Sequence, residues 1–130
     1  MNDRLLKVCY LILALVAGLL IYNIERVRFD FDEQVMNKEG LVMVVWEADW
    51  CPSCQRLRPV LEQIKVDRND VSVVQVNVDK QSELWSKHGS CSGIPCVVFM
   101  RDGQYLSHFA GFRSKFEIES HMSQHLPMEI

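Results

Sequence analysis

The stretch Asp49-Trp50-Cys51-Pro52-Ser53-Cys54 decides how the chain is read. Ahead of it runs Leu41-Val42-Met43-Val44-Val45-Trp46, an apolar, strand-like segment. Behind it, Gln55-Arg56-Leu57-Arg58-Pro59-Val60-Leu61-Glu62-Gln63-Ile64 carries the apolar spacing of a helix. Two cysteines separated by two residues at a strand-to-helix junction read as a redox pair. A thiolate at Cys51 would sit by the first-turn amides of the helix, whose partial positive charge stabilises an anion. Cys54 lies almost one turn on, within reach to resolve a mixed disulfide. Pro52 suits an early helical position, which needs no intrahelical amide bond. Half of a zinc or iron–sulfur site, or two incidental thiols, would have the same spacing. The flanking strand and helix favour the redox pair.

Working outward, 130 residues of which 48% are hydrophobic bound the chain to one compact domain plus attachments. A formal charge of -3 and the lack of a basic patch interleaved with aromatics argue against a nucleic-acid partner. The five cysteines are Cys9, Cys51, Cys54, Cys91 and Cys96. They are too few for a disulfide scaffold, yet they allow a disulfide-permissive compartment.

Residues 5–24 form an almost wholly apolar run of 20, unbroken by charge from Val8 to Tyr22. About 20 residues span the hydrocarbon as a helix. Lys7 would snorkel at one interface and Tyr22 would sit at the other. A buried helix of a soluble domain and a cleaved signal peptide are the competing readings. Ala14 and Ala17 lie inside the run and no Ala-x-Ala site follows it, so an uncleaved anchor is expected, membrane-bound through 5–24, with the domain at 25–130. Arg4 and Lys7 on one flank nearly balance Arg26 and Arg28 on the other. The cysteine chemistry tips the orientation toward a single-pass protein with its domain on the periplasmic or other extracytoplasmic side.

In the domain, Val27-Arg28-Phe29 is expected to begin a strand, and Asp30 or Asp32 to cap a short helix over 31–37. Residues 41–46 form a central strand with Glu47 at its end, and the next helix runs to about Asp67 with a kink at Pro59. Residues 71–78 form a second strand; 82–88 form a short helix with Leu84 and Trp85 inward. A loop through Cys91 leads to a strand at 96–100, a hairpin turn at Asp102-Gly103 and a strand at 105–110. The last helix covers 114–125, with Ser114 and Glu117 as a capping box. This order implies an α/β fold: a small mixed sheet with helices on both faces.

Residues 27–126 resemble a thioredoxin-like domain. The likeness rests on Trp50-Cys51-Pro52-Ser53-Cys54, Pro59, Asn77-Val78-Asp79, Gly93-Ile94-Pro95, Asp102-Gly103 and Gly111. The resemblance implies that Cys51 is the exposed nucleophile and Cys54 the buried resolving cysteine. It makes Trp50 the aromatic beside them, and Pro95 a cis-proline facing the pair. Ile94 becomes the residue whose backbone pairs with an extended substrate, and Pro52, Ser53 and Cys96 complete the groove. A trans proline at a strand edge is the plain alternative for Pro95.

The departures are informative. Thioredoxins carry Trp-Cys-Gly-Pro-Cys and a buried aspartate six residues before the first cysteine, a position held here by Val45; the accompanying lysine matches Gln75. Glu47, on the same strand face and nearer the pair, is a candidate for part of the proton work. The alternative is a solvated strand-end carboxylate. The segment from Gly89 to Pro95 is one residue longer than the usual pattern, and Cys96 is expected near Cys51 and Cys54. Three readings of its cysteines stay open. Cys96 is a small buried hydrophobe, or Cys91 and Cys96 form a second disulfide or relay, or all four thiols hold zinc or an iron–sulfur cluster. His88, His108, His121 and His125 read as surface residues, the last two on a solvated helix face, and Trp46 and Trp85 as core or groove packing.

The expected function is a membrane-anchored thiol–disulfide oxidoreductase that reduces protein disulfides through Cys51 and Cys54. Its partners are protein disulfide substrates and a redox partner protein, without cofactor or metal. A non-catalytic partner-binding or chaperone module, or a cysteine-ligated metal domain, are the alternatives.

Overall fold

A computed structural model describes residues 2–26 and 29–127. The chain divides into two compact units, Met1–Asp30 and Phe31–Ile130. Helix α1 (Asp3–Arg26) makes up the first. At about 1.5 Å per residue, its 24 residues rise about 36 Å, against about 30 Å of bilayer hydrocarbon. Its apolar side chains stand exposed on every face, Leu5, Tyr10, Leu15 and Leu20 among them. By length and composition it is able to cross a membrane.

The second unit follows the expected order: β1 (Leu41–Glu47), α2 (Pro52–Asp67), β2 (Val71–Asn77), α3 (Ser82–His88), β3 (Cys96–Arg101), β4 (Gln104–Ala110) and α4 (Lys115–Ser123). The sheet order is β2-β1-β3-β4. β1 pairs parallel with β2 and antiparallel with β3, which pairs antiparallel with β4. A parallel pair needs a crossover, and α2 supplies it. All seven residues of β1 are buried, as its uninterrupted apolar sequence predicts for a strand covered on both faces.

Alternation along β1 assigns its two faces. Met43 and Val45, with Val97 and Phe99 of β3, pack against Leu57, Leu61 and Ile64 of α2 and Ile118 and Met122 of α4. Trp46 points the other way, its ring 5.8 Å from Phe31 and 5.5 Å from Trp85. Helices therefore cover both faces, and both tryptophans pack as expected. Leu84 and Trp85 of α3 are half-buried rather than fully inward.

Local signals hold where their partners are near in sequence. The β3–β4 hairpin turns at Asp102 (φ 50°) and Gly103 (φ 77°), the positive-φ pair of a type I′ turn. A side chain at Gly103 would collide with the Met36 carbonyl, 2.7 Å from where a Cβ would stand. Ser114 and Glu117 form the capping box of α4.

Three expectations are corrected. The short helix is a π-helical turn, Asp32–Met36, preceded by Phe31 and lacking a side-chain cap, because the buried Phe31 occupies the capping position. Phe29 lies outside any strand, while Val27 and Arg28 fall outside the described residues. His121 and His125 are not on a solvated face. Both are half-buried beside Phe99, and both Nε2 atoms meet the Ser107 hydroxyl, at 2.9 and 2.6 Å. The contact comes from β4, the preceding element of the chain, and not from α4 itself.

Candidate active site

The site forms where β1 ends and α2 begins. Past Glu47 the chain turns, with the Cys51 amide donating to the Ala48 carbonyl (3.3 Å). Cys51 then occupies the N-cap of α2 in an extended conformation, and Pro52 takes the first turn. From the cap, Cys51 Sγ accepts the Cys54 amide (3.3 Å), the contact expected of a sulfur over the positive end of a helix dipole. Cys51 and Cys54 are disulfide-bonded, with Cα atoms 5.2 Å apart. In this oxidised pair Cys54 is fully buried and Cys51 only 4% exposed. The expected exposure of Cys51 is therefore corrected: its sulfur is turned toward Cys54 and covered by the neighbouring loop.

That loop carries Ile94 and Pro95, joined by a cis peptide bond. The Ile94 carbonyl oxygen lies 3.9 Å from Cys51 Sγ, and the Pro95 carbonyl accepts the Gly111 amide (2.8 Å). Pro95 is buried, Ile94 and Ser53 half-buried, and Pro52 exposed. Trp50 stands 67% exposed beside the pair. Its indole N–H donates to Asp79 Oδ2 at 2.8 Å. Asp79 arrives there because the Val78 amide donates to the Glu47 carbonyl (2.9 Å), tying the ends of β1 and β2 together.

Glu47 is the main correction to the local electrostatics. The solvated-carboxylate reading fails, because the residue is 8% exposed. Its Oε1 pairs with Arg58 Nε at 3.3 Å, and its Oε2 accepts from Gln75 Nε2 at 3.5 Å. Gln75 in turn accepts from Lys65 Nζ at 2.6 Å. Arg58 also binds Asp49 Oδ1 (2.9 Å). The Asp49 hydrogen bond and the Glu47 charge raise its pKa above the ordinary value. Val45, at the position of the family's buried acid, is fully buried in the apolar core and stands opposite Gln75 in the β1–β2 register. The carboxylate of this strand stands two residues further on, at Glu47, paired with an arginine from α2. Neither Arg58 nor the Trp50–Asp79 bond was anticipated, since each joins residues from different elements.

Cys91 and Cys96 form a second disulfide, with Cα atoms 5.8 Å apart. The four sulfurs are thereby divided into two bonded pairs rather than gathered round one centre. Cys96 pairs with Trp46 in the β1–β3 register, so alternation puts its side chain on the Trp46 face.

A bonded Cys-x-x-Cys at a helix N-terminus, facing a proline loop across a mixed sheet, defines a thiol–disulfide oxidoreductase. The family model Thioredoxin matches residues 23–124. Thioredoxin of Bacillus subtilis (strain 168) is 32% identical over 89 residues, covering 68% of this chain and 85% of that protein. Thioredoxin of Rickettsia bellii is 34% identical over 86 residues, covering 65% and 81%. Among solved structures, a mutant thioredoxin from Halobacterium salinarum NRC-1 superposes with a TM-score of 0.69 at 25% identity, covering 80% of this chain and 91% of that one. The chain belongs to the thioredoxin family.

Proposed function

We propose that this oxidoreductase works as a membrane-anchored reductase of protein disulfides, with Cys51 attacking and Cys54 resolving. The observation that carries the assignment of roles is the Cys54 amide on Cys51 Sγ at the start of α2, which favours a thiolate at Cys51 once the pair is reduced. The Cys51 thiolate attacks one sulfur of the substrate disulfide. That bond breaks, one substrate thiolate leaves and takes a proton, and the other sulfur stays bonded to Cys51. Cys54, losing its proton, attacks Cys51 Sγ and releases the second substrate thiolate as the Cys51–Cys54 bond closes. Two electrons pass to the substrate, and a dithiol redox partner must restore them.

Glu47 is the group we assign to accept the Cys54 proton, directly or through water. Among the described residues it is the one buried charged side chain, and it ends the strand that feeds the site. Arg58 holds it in position. The Ile94 backbone, Pro95, Trp50, Pro52 and Ser53 form the rim against which an extended substrate segment lies, with Cys96 behind them. The length and exposed apolar surface of α1 support a single span through 5–24. Two disulfides support a domain on the periplasmic or other extracytoplasmic side.

The test is Cys54→Ser in the full chain, held in detergent micelles and reduced before use. Incubated with insulin, it should accumulate a dithiothreitol-sensitive adduct through Cys51, while the wild type turns over and Cys51→Ser forms none. Absence of both the adduct and wild-type turnover would reject the reductase and leave a partner-binding module.

A further inference from the structure

The second disulfide has no part in the chemistry above, yet its position ties it to that chemistry. Cys91 lies in the segment between α3 and β3, and Cys96 is the first residue of β3. Their bond closes a ring over Ser92, Gly93, Ile94 and Pro95. The carbonyl within that ring which approaches Cys51 Sγ belongs to Ile94.

The two ends of the bond differ. Cys96 is fully buried and fixed in the sheet, opposite Trp46 on β1 and Ala110 on β4. Cys91 is half-buried in a segment without helix or strand, next to exposed Ser92 and Gly93. Besides the disulfide, Cys91 Sγ has the Phe109 carbonyl oxygen 3.6 Å away. A staple that joins distant elements restricts the unfolded chain strongly, and one closing so short a ring restricts it least. β3 is already held by β1 on one side and β4 on the other. The bond therefore acts chiefly on the shape of the loop that presents Ile94.

We propose that Cys91–Cys96 is a second redox site, opened by an external protein dithiol at Cys91, whose state controls how firmly the Ile94–Pro95 loop holds a substrate. This rests on Cys51–Cys54 being the working pair. A thiolate of the incoming dithiol attacks the accessible Cys91 Sγ. The Cys91–Cys96 bond breaks, and Cys96 leaves as a thiolate that takes up a proton. The second thiol of the dithiol, losing its proton, attacks its own partner sulfur in the mixed disulfide and releases Cys91, which is protonated in turn. The dithiol becomes a disulfide, and two electrons and two protons reside on Cys91 and Cys96. The electrons come from the external dithiol, the Cys51–Cys54 pair being itself closed as a disulfide here. Closed, the bond ties the loop to β3. Open, the segment from Gly89 to Gly93 loses that tie, and the docking edge at Ile94 loosens.

The experiment is a redox titration of the full-length chain in detergent micelles. The chain is equilibrated in graded mixtures of reduced and oxidised dithiothreitol, quenched with acid, alkylated with N-ethylmaleimide and mapped by mass spectrometry. The expected result is a reversible two-electron transition at Cys91 and Cys96 in the folded protein. The same transition should persist in the Cys51→Ser, Cys54→Ser double variant, where a failure of the main pair has no bearing. A Cys91–Cys96 bond that stays closed until the chain unfolds overturns the proposal. For the coupling, the Cys91→Ala variant, which removes the bond and leaves Cys96 in place, should show KM for insulin raised about threefold or more with kcat within about twofold. An unchanged KM overturns the control of docking. If that variant fails to fold, the wild type prepared with Cys91 and Cys96 alkylated and Cys51–Cys54 intact supplies the same KM comparison.

Discussion

Arg58→Met is the perturbation that most directly probes the charge arrangement around the site. Glu47 is 8% exposed, and Arg58 Nε lies 3.3 Å from its carboxylate. At that separation two unit charges attract by about 5 kcal/mol at an effective dielectric of 20 and by about 1.3 kcal/mol in bulk water. The Arg58 side chain is 35% exposed and shared with Asp49, so solvent screening draws the figure toward the lower bound. Removing the guanidinium leaves the buried carboxylate with the long hydrogen bond from Gln75, which adds an unpaired-charge penalty. Together these place the loss at about 2 kcal/mol, or about 10 °C in Tm for a domain of this size. The companion Glu47→Gln, Arg58→Met chain has no buried charge left unpaired and should recover at least half of that loss. The assay is urea unfolding of the oxidised chain in micelles followed by tryptophan fluorescence. All three tryptophans, Trp46, Trp50 and Trp85, lie in the second unit, so α1 does not contribute to the signal. A single variant within about 0.5 kcal/mol of wild type, or a double variant no more stable than the single, would refute the reasoning.

Glu47→Gln alone tests the proton role: single-turnover release of the mixed disulfide should slow by about a hundredfold, with formation of the adduct unchanged, and equal release rates would remove Glu47 from the mechanism. Stability should also fall in mild acid. Burial lowers the pKa of His88, with the Lys87 charge adding to it and Asp32 opposing. Burial likewise lowers His121, with His125, Arg113 and His108 adding to it. A lowered folded-state value means that the unfolded chain binds the proton first, so this stability is present above about pH 6.5 and is lost as pH falls through the folded values. Asp70, pulled down by its hydrogen bond from Arg68, loses its contribution only at lower pH. The urea midpoint should therefore be level from pH 7 to 8 and fall as pH drops below about 6.5; a flat or rising midpoint on that acid side contradicts the histidine assignment.

The chain order alone reveals what is written in short-range pattern. The unbroken apolar run at 41–46 is a covered strand, the apolar spacing behind it is a helix, and the cysteines between them fall at the helix N-terminus. The Asp102-Gly103 turn and the Ser114–Glu117 box are equally local, because their partners lie within a few residues. The apolar run of α1 is legible for the same reason. Tertiary structure decided everything that depends on which distant groups meet. Three readings of Cys91 and Cys96 stayed open from their spacing, and the folded chain, which brings their Cα atoms to 5.8 Å, selects the disulfide. Glu47 looks solvated at a strand end until α2 folds over it and brings Arg58. His121 and His125 look solvated on their helix until β4 offers Ser107. Trp50 meets Asp79 across 29 residues of chain because β1 and β2 end side by side. Backbone periodicity acts over a few residues, whereas burial and charge pairing depend on the packed sheet, and the electrostatics of the site belong to the second kind.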